Sequence, residues 1–527
     1  MQIIIYNIIV IKNNIKNTEE SNMGKIFETD KKIRLGIWGL GRGSAFLKAA
    51  AALNFEIVAG CDFNENLRNN FKESCPDAFI TDNEDDFLKT PDMDAVLIAT
   101  FFTSHAAHTI KALEHGLHVM CEVTSFFTPA EGVQVVEAVE KSGKVYNLLE
   151  NYPFTKENFY LAKLYHEGFF GEFQYAEFEY LHDCRILSFC YSNGTPVEPG
   201  YHAHDWRSVT DFHYYNTHSL GPLMQITNLR PVSIASLPMD VSLAGTFPDS
   251  NWGKPCASLI KMSNGGTMRN LCGSSTGNYH MGKRFWGTLA AAESLENNLQ
   301  LTIGAYGSGT KIAVTPDWET LGKEADENGH GGGDFWELYY FAREILYGTP
   351  APWNIYSACD VTLAGIMAVK SHYANGALTE IPDFRDKAVR EKYRNDHFRM
   401  TCSTDPHKIF PANHNPDITS KYNTVMHDLF KKSTVLRTAL DGAKIFDVIT
   451  DDSGKLAVMQ NIRQAITELD GFAGNLADAD LILENYPDSP AAYALKSLKG
   501  TFAAEFAGGT AALRKKLEDK LNECLKK

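Results

Sequence analysis

Between residues 32 and 150 the chain alternates short apolar runs with segments whose apolar residues recur every three to four positions. The runs predict strands at 33–38, 57–61, 78–81, 95–99, 118–121 and 145–149. The segments between them predict helices at 45–54, 64–73, 85–88, 105–115 and 129–142. Strands alternating with helices imply a parallel, doubly wound sheet of the Rossmann kind, whose ligand sits at the carboxyl ends of the strands. After Asn151 the period changes. A helix over 155–167 precedes strands that begin near Gly171 and continue at 233–237, 257–262, 267–272, 286–290, 299–303 and 310–314. These predict an open, mostly antiparallel sheet facing the cleft. Helices at 334–346 and 356–373 close this part.

The last third differs again. Residues 385–420 are polar and loop-rich, and 421–527 return to a helical period, with helices expected at 461–469, 476–484, 491–506 and 510–525. The fold class is therefore α/β: a Rossmann domain over 32–150, an α+β domain over 151–385, an arm over 386–420 and a helical appendage over 421–527. The appendage carries no evident chemistry and suits packing or a homo-oligomer contact. Residues 1–31 stand outside this scheme. The apolar run at 1–11 is too short to span a membrane and lacks a basic flank and cleavage site, and Met23 is the more natural start.

The first apolar run breaks into Gly39, Gly41 and Gly43, with Ser44 where a third glycine of the G-x-G-x-x-G pattern is expected. A strand that turns through glycines into a helix lets the backbone approach a dinucleotide diphosphate, which meets unpaired N–H groups at the helix start. Gly39, Gly41, Arg42, Gly43 and Ser44 are the expected contacts. Asp62, about 20 residues further on, suits the ribose hydroxyls. No arginine follows it directly, which favours NAD over NADP.

A formal charge of −15 argues against nucleic acid and anionic membranes as partners. Ten cysteines without a C-x-x-C pair point to reduced thiols in a cytoplasmic protein. His202, His204, Asp205 and His213 gather in one stretch, but their spacing matches no zinc pattern, so no metal is expected.

Ala99-Thr-Phe-Phe-Thr-Ser-His105 resembles the Ala-Thr-Pro-Asn-x-x-His turn of the Gfo/Idh/MocA oxidoreductases, and Gly116-Leu-His-Val-Met-Cys-Glu122 is similar to their Gly-x-His-Val-x-x-Glu-Lys-Pro. Val123-Thr124 stand in place of Lys-Pro, so the lysine that many of those dehydrogenases set beside the nicotinamide is missing. Cys121-Glu-Val123 is similar instead to the NAD-dependent α-N-acetylgalactosaminidases of glycoside hydrolase family 109. The same branch is resembled by Glu150-Asn-Tyr152, by Ala176-Glu-Phe-Glu-Tyr-Leu-His-Asp183, by Trp206-Arg207 with Tyr215-Asn-Thr-His-Ser-Leu-Gly-Pro222, and by Gly329-His-Gly-Gly-Gly-Asp-Phe335. Together these cover roughly residues 32–385.

The resemblance implies NAD as cofactor, held additionally by Thr100, His105 and Glu122, and a carbohydrate or glycoside as substrate. Tyr215 and His218, at i and i+3, fall on one helix face and can aim a phenol and an imidazole at one sugar hydroxyl. As a buried pair they would equally pack a domain interface. Tyr180 and Tyr215 are the alternative bases. Glu150, Arg207, His330 and Asp334 are expected on the substrate. The implied route oxidises C3 transiently, removes the acidified C2 proton, eliminates the C1 group, adds water and reduces C3 again with the same cofactor. Net sugar or polyol dehydrogenation, and non-catalytic binding of NAD and sugar, are the rival readings.

Overall fold

The computed structural model describes residues 26–191, 194–197, 200–275, 282–294, 298–304, 309–400 and 402–526. The apolar run at 1–11 and Met23 lie outside the described residues. The first six strands are β1 (Ile33–Trp38), β2 (Phe55–Cys61), β3 (Phe79–Thr81), β4 (Ala95–Ile98), β5 (His118–Glu122) and β6 (Tyr146–Leu149). They form a parallel sheet in the order β3-β2-β1-β4-β5-β6. β4 is buried along its whole length, as strands covered on both faces must be, which explains its unbroken apolar run. The order reverses direction between β1 and β4, opening a crevice where their carboxyl ends part. The first helix begins at Leu40, five residues earlier than the apolar period suggested. Gly39, at φ 95°, turns the chain so sharply that no spacer is needed.

The second sheet has nine strands: β7 (Phe173–Leu181), β8 (Pro231–Ser236), β9 (Pro255–Met262), β10 (Thr267–Gly273), β11 (Lys283–Gly287), β12 (Ala290–Ser294), β13 (Leu299–Ile303), β14 (Thr310–Val314) and β15 (Thr379–Glu380). Their order is β14-β13-β12-β11-β7-β10-β9-β8-β15. Among the described residues only β7 and β10 pair in parallel; the remaining described pairs are antiparallel. The strand expected at 286–290 is in fact a hairpin. β11 stops at Gly287, whose backbone lies against the Phe170 carbonyl, and the chain turns at Thr288–Leu289 into β12. One large apolar core joins both sheets.

The C-terminal helices Tyr422–Ile445, Asp452–Asn485, Pro490–Gly500 and Gly509–Cys524 surround a second core. Two helices expected at 461–469 and 476–484 are one, and the helix expected to reach 506 ends at Gly500. Gly471 and Gly474 lie inside this helix, where each glycine costs about 1 kcal/mol. Phe472 between them is buried, with ring centroids 4.9 Å from both Phe502 and Phe506, and that packing carries the helix through. The arm is tied back by ion pairs, Arg390 to Glu140 at 2.9 Å and Arg394 to Glu137 at 2.6 Å. No helix among the described residues is long and apolar enough to cross a membrane.

Candidate active site

The strand ends of the first sheet build one wall of the cleft. A Cβ on Gly39 would collide with the Ala99 carbonyl, so only glycine lets the turns after β1 and β4 close to this distance. Gly43 packs against Ile37 and takes over the helix-to-strand contact that a third glycine makes elsewhere. Ser44 Oγ donates to Leu40 O at 2.6 Å, so that hydroxyl serves its own helix. Asp62 accepts from Leu40 N at 2.7 Å and from Asn64 N at 2.8 Å, which locks the end of β2 to the glycine turn. A glycine cradle at a helix start, with an acidic side chain beside it, fits a dinucleotide.

Two expected cofactor contacts are placed differently. His105 is buried beneath the β4 turn, with ring nitrogens 2.8 Å from Thr124 O and 3.0 Å from Thr100 O. It supports the loop rather than lining the cleft. Thr100 Oγ1 is likewise engaged by His108 Nδ1 at 2.9 Å.

Arg42 reaches out of the glycine turn into an ionic cluster. Its Nε donates to Glu122 Oε1 at 2.7 Å, and its two terminal nitrogens grip Asp334 at 2.9 and 2.7 Å. Asp334 also accepts from Asn151 Nδ2 at 3.3 Å and lies 2.9 Å from His330 Nδ1. Burial opposes ionisation of Asp334, yet Arg42 and His330 hold it well below the usual carboxylate range. Arg42 and Asp334 thus join the two domains, and Asp334, 1% exposed, orients its partners instead of facing a sugar.

Glu150 closes β6 and His218 lies in the first turn of the helix Thr217–Thr227, where Nδ1 meets Glu150 Oε1 at 2.7 Å. With Nδ1–H donated to the carboxylate, Nε2 carries the lone pair and can accept a proton. Three rings wall the imidazole, with centroids at 4.5 Å (Tyr152), 4.7 Å (Tyr180) and 4.5 Å (Tyr215). Arg207 stacks 4.6 Å from the Trp206 ring and lies 5.6 Å from that of Tyr215.

Burial pushes the Tyr215 phenol up to about 12 against the pull of Arg207. Burial and then Tyr215 raise Tyr180 well above its ordinary value. Neither has the lowered value that would make a tyrosine an available base, and both are neutral phenols. The Tyr180 hydroxyl lies 3.1 Å from His182 Nδ1, within hydrogen-bond distance. Burial and then Arg207 lower His182 to about 4, so it is neutral at physiological pH.

Sequence reasoning missed His182, Tyr152 and Glu337 as members of this site. Strand alternation was the available signal for His182, which directly follows β7 and stands two positions beyond Tyr180. Glu337 stands one turn beyond Asp334, buried, and neither of its carboxyl oxygens has a hydrogen-bond partner among the described residues. Burial, then Asp334 and Glu122, raise it well above the usual range.

The four residues weighed for a metal do not converge. Asp205 accepts from Thr103 Oγ1 at 2.6 Å, while His213 lies between Asp211 at 2.8 Å and Ser236 at 2.9 Å. Asp211, His213 and His372 do cluster, but Asp211 also accepts from His213 N and Asn251 Nδ2, which makes the group a hydrogen-bonded network.

Residues 33–149 match the oxidoreductase family model for an NAD-binding Rossmann fold of the Gfo/Idh/MocA type, and residues 311–391 match the glycosyl hydrolase 109 C-terminal domain. A glycosyl hydrolase family 109 protein of Saccharopolyspora erythraea is 26% identical over 404 residues, 69% of this chain and 86% of that one. An alpha-N-acetylgalactosaminidase of Shewanella oneidensis is 24% identical over 409 residues, 69% of this chain and 88% of the relative. Among solved structures, a levoglucosan dehydrogenase in complex with NADH and L-sorbose superposes with a TM-score of 0.58 at 19% identity, covering 67% of this chain and all of that one. A UDP-N-acetylglucosamine 3-dehydrogenase from Acidithiobacillus ferrooxidans gives 0.51 at 16% identity, with 65% and 97% coverage. These two likenesses establish the fold. The chain is an NAD-dependent, oxidoreductase-type enzyme in which the Gfo/Idh/MocA NAD-binding domain is joined to a glycosyl hydrolase 109 C-terminal domain.

Proposed function

We propose that this enzyme hydrolyses a glycoside in the cytoplasm through transient oxidation at C3, with residues 32–150 supplying the cofactor end and 151–385 the sugar end. The observation that carries the reading is the His218–Glu150 pair, buried among three tyrosine rings at the carboxyl edge of the NAD-binding sheet. When bound, NAD would accept a hydride from C3 and return it at the end of the cycle. His218 Nε2 takes the C3 hydroxyl proton, and Glu150 stabilises the imidazolium that forms.

The ketone at C3 acidifies C2. Tyr180 gives its hydroxyl proton to the departing C1 oxygen as it receives the C2 proton, so the C1–O bond breaks, the aglycone leaves protonated and the phenol is regenerated. Water adds at C1, C2 is reprotonated, and His218 gives its proton back to the C3 oxygen. The net reaction consumes one water and no cofactor. Arg207, braced on Trp206, meets the sugar's acetamido or acidic substituent, and His330, held by Asp334, meets a hydroxyl. Two carboxylates facing each other across a glycosidic bond are not needed on this route.

Incubation with a panel of aryl glycosides tests the reading. Aglycone release without accumulation of NADH is expected. Stoichiometric NADH from a free sugar, with no aglycone released from any glycoside, would establish net dehydrogenation in its place.

A further inference from the structure

Between His182 and Arg207 the chain leaves the cleft and comes back to it. Cys184 and Trp206, at the two roots of this excursion, belong to the core that joins the sheets, whereas Phe189 and Ala203 belong to the C-terminal core. Each leg therefore crosses from one core to the other, at Ser188–Phe189 going out and at Ala203–His204 returning. The crossings are tied together. Ser188 O accepts from His204 N at 2.7 Å, and Ser188 Oγ donates to Arg207 O at 2.5 Å. The helix Tyr422–Ile445 clamps the far end. Asn423 Nδ2 donates to Phe189 O at 2.6 Å and to His202 O at 2.8 Å, one bond to each leg, and Cys190 Sγ donates to Asn423 O at 3.4 Å. Phe430 stacks on Phe189 at 6.2 Å and carries the Arg185 guanidinium 5.1 Å above its ring. Arg185 is held in turn by both oxygens of Asp183, at 2.7 and 2.6 Å. Apolar contact alone would suffice to pack one core on another. A fully buried amide shared between both legs of one loop fixes a single arrangement of that loop.

We propose that the C-terminal helical unit, through Asn423 and Phe430, sets the position of Arg207 and thereby governs how tightly the enzyme holds the acetamido or acidic substituent of its sugar. This rests on the reading above for the role of Arg207 on the sugar. The guanidinium stacks on Trp206 and lies beside the Tyr215 ring, so a shift of the returning leg moves it relative to the groups around His218. Asn423 and Phe430 touch neither sugar nor cofactor on this account; they are positioning residues that work through Arg207.

The test has two arms, both on the full-length protein. Hydrogen exchange read by mass spectrometry needs no substrate, so its outcome stands whether or not the protein is a glycosidase. Asn423→Ala is expected to speed exchange over residues 203–207 about tenfold while β1–β6 keep their protection. Unchanged exchange over 203–207 would overturn the proposal. The second arm is a double-mutant cycle on KM, with an aryl glycoside that the unaltered enzyme cleaves or, if it cleaves none, with a free sugar from which it forms NADH. Asn423→Ala is expected to raise KM about tenfold with kcat within about twofold of the unaltered value. Combined with Arg207→Ala, it is expected to give the KM of Arg207→Ala alone. An unchanged KM, or effects that multiply in the double variant, would overturn the link to Arg207. A protein with neither activity would sink the reading above, and the exchange arm then decides the brace by itself. Phe430→Leu, which keeps the site apolar, takes the place of Asn423→Ala in both arms if that variant does not fold.

Discussion

Two buried ionic groups flank the cleft, and they are saturated to different degrees. Around Arg42 every guanidinium arm has a carboxylate, and Asp334 collects donors from Arg42, Asn151 and His330. Around His218 one nitrogen is held by Glu150, and Glu150 Oε2 is buried without a hydrogen-bond partner among the described residues. A fully paired network fixes the relation of two domains, because any movement leaves a buried charge uncompensated. A pair with one proton-accepting nitrogen still available can do chemistry. Between Arg42 and His218, saturation distinguishes the residue that holds from the one proposed to react.

Three measurements would break or sharpen that contrast. His218→Ala is expected to lower turnover by about 10²–10⁴-fold while leaving the amount of bound NAD unchanged. Turnover within a factor of a few of the unaltered enzyme would remove His218 from the chemistry. Arg42→Leu attacks the other group. It leaves Glu122 and Asp334 buried without their cation, and a stability loss of about 3 kcal/mol is expected in denaturant or thermal unfolding. If stability held and only turnover fell, Arg42 would belong with the reacting groups instead.

The smallest effect is the response to pH. His108 is held near 3 and His182 near 4 by burial, against an ordinary imidazole value of 6.5. Below about pH 6.5 the unfolded chain binds protons that the folded chain refuses, so stability falls with pH, by at most about 1.4 kcal/mol per pH unit for each group. Asp334 stays ionised throughout that window and contributes nothing to the slope. Tm should therefore be lower at pH 5 than at pH 7.5. A flat profile would mean that these histidines are not buried in neutral form.

The parallel sheet was readable in advance because each β1–β6 strand is a local apolar run and each connection a local helical period. Element ends were less so. The β11–β12 hairpin and the long helix Asp452–Asn485 depend on Phe170 and on Phe502 and Phe506, which are remote in the chain and invisible to a sliding window. For the site, residue types and spacing together with the family resemblance singled out Glu150, Tyr180, Tyr215 and His218, which lie together around one imidazole. Partnerships were not legible. Arg42 and Asp334 were assigned separately to cofactor and sugar, yet they meet each other across the domain boundary.

What the sequence alone determined is the succession of elements and the glycine turn at Gly39, since these follow from local steric and periodic constraints, while the chemical types near the cleft were marked by the family resemblance. Only the tertiary structure decided which of those groups are consumed by one another, because burial and pairing between distant residues set both their protonation and their availability. Gly41 shows both sides. Its place in the turn is written in the local pattern, while the Tyr191 ring lying on it comes from a segment braced by a helix more than two hundred residues further along the chain.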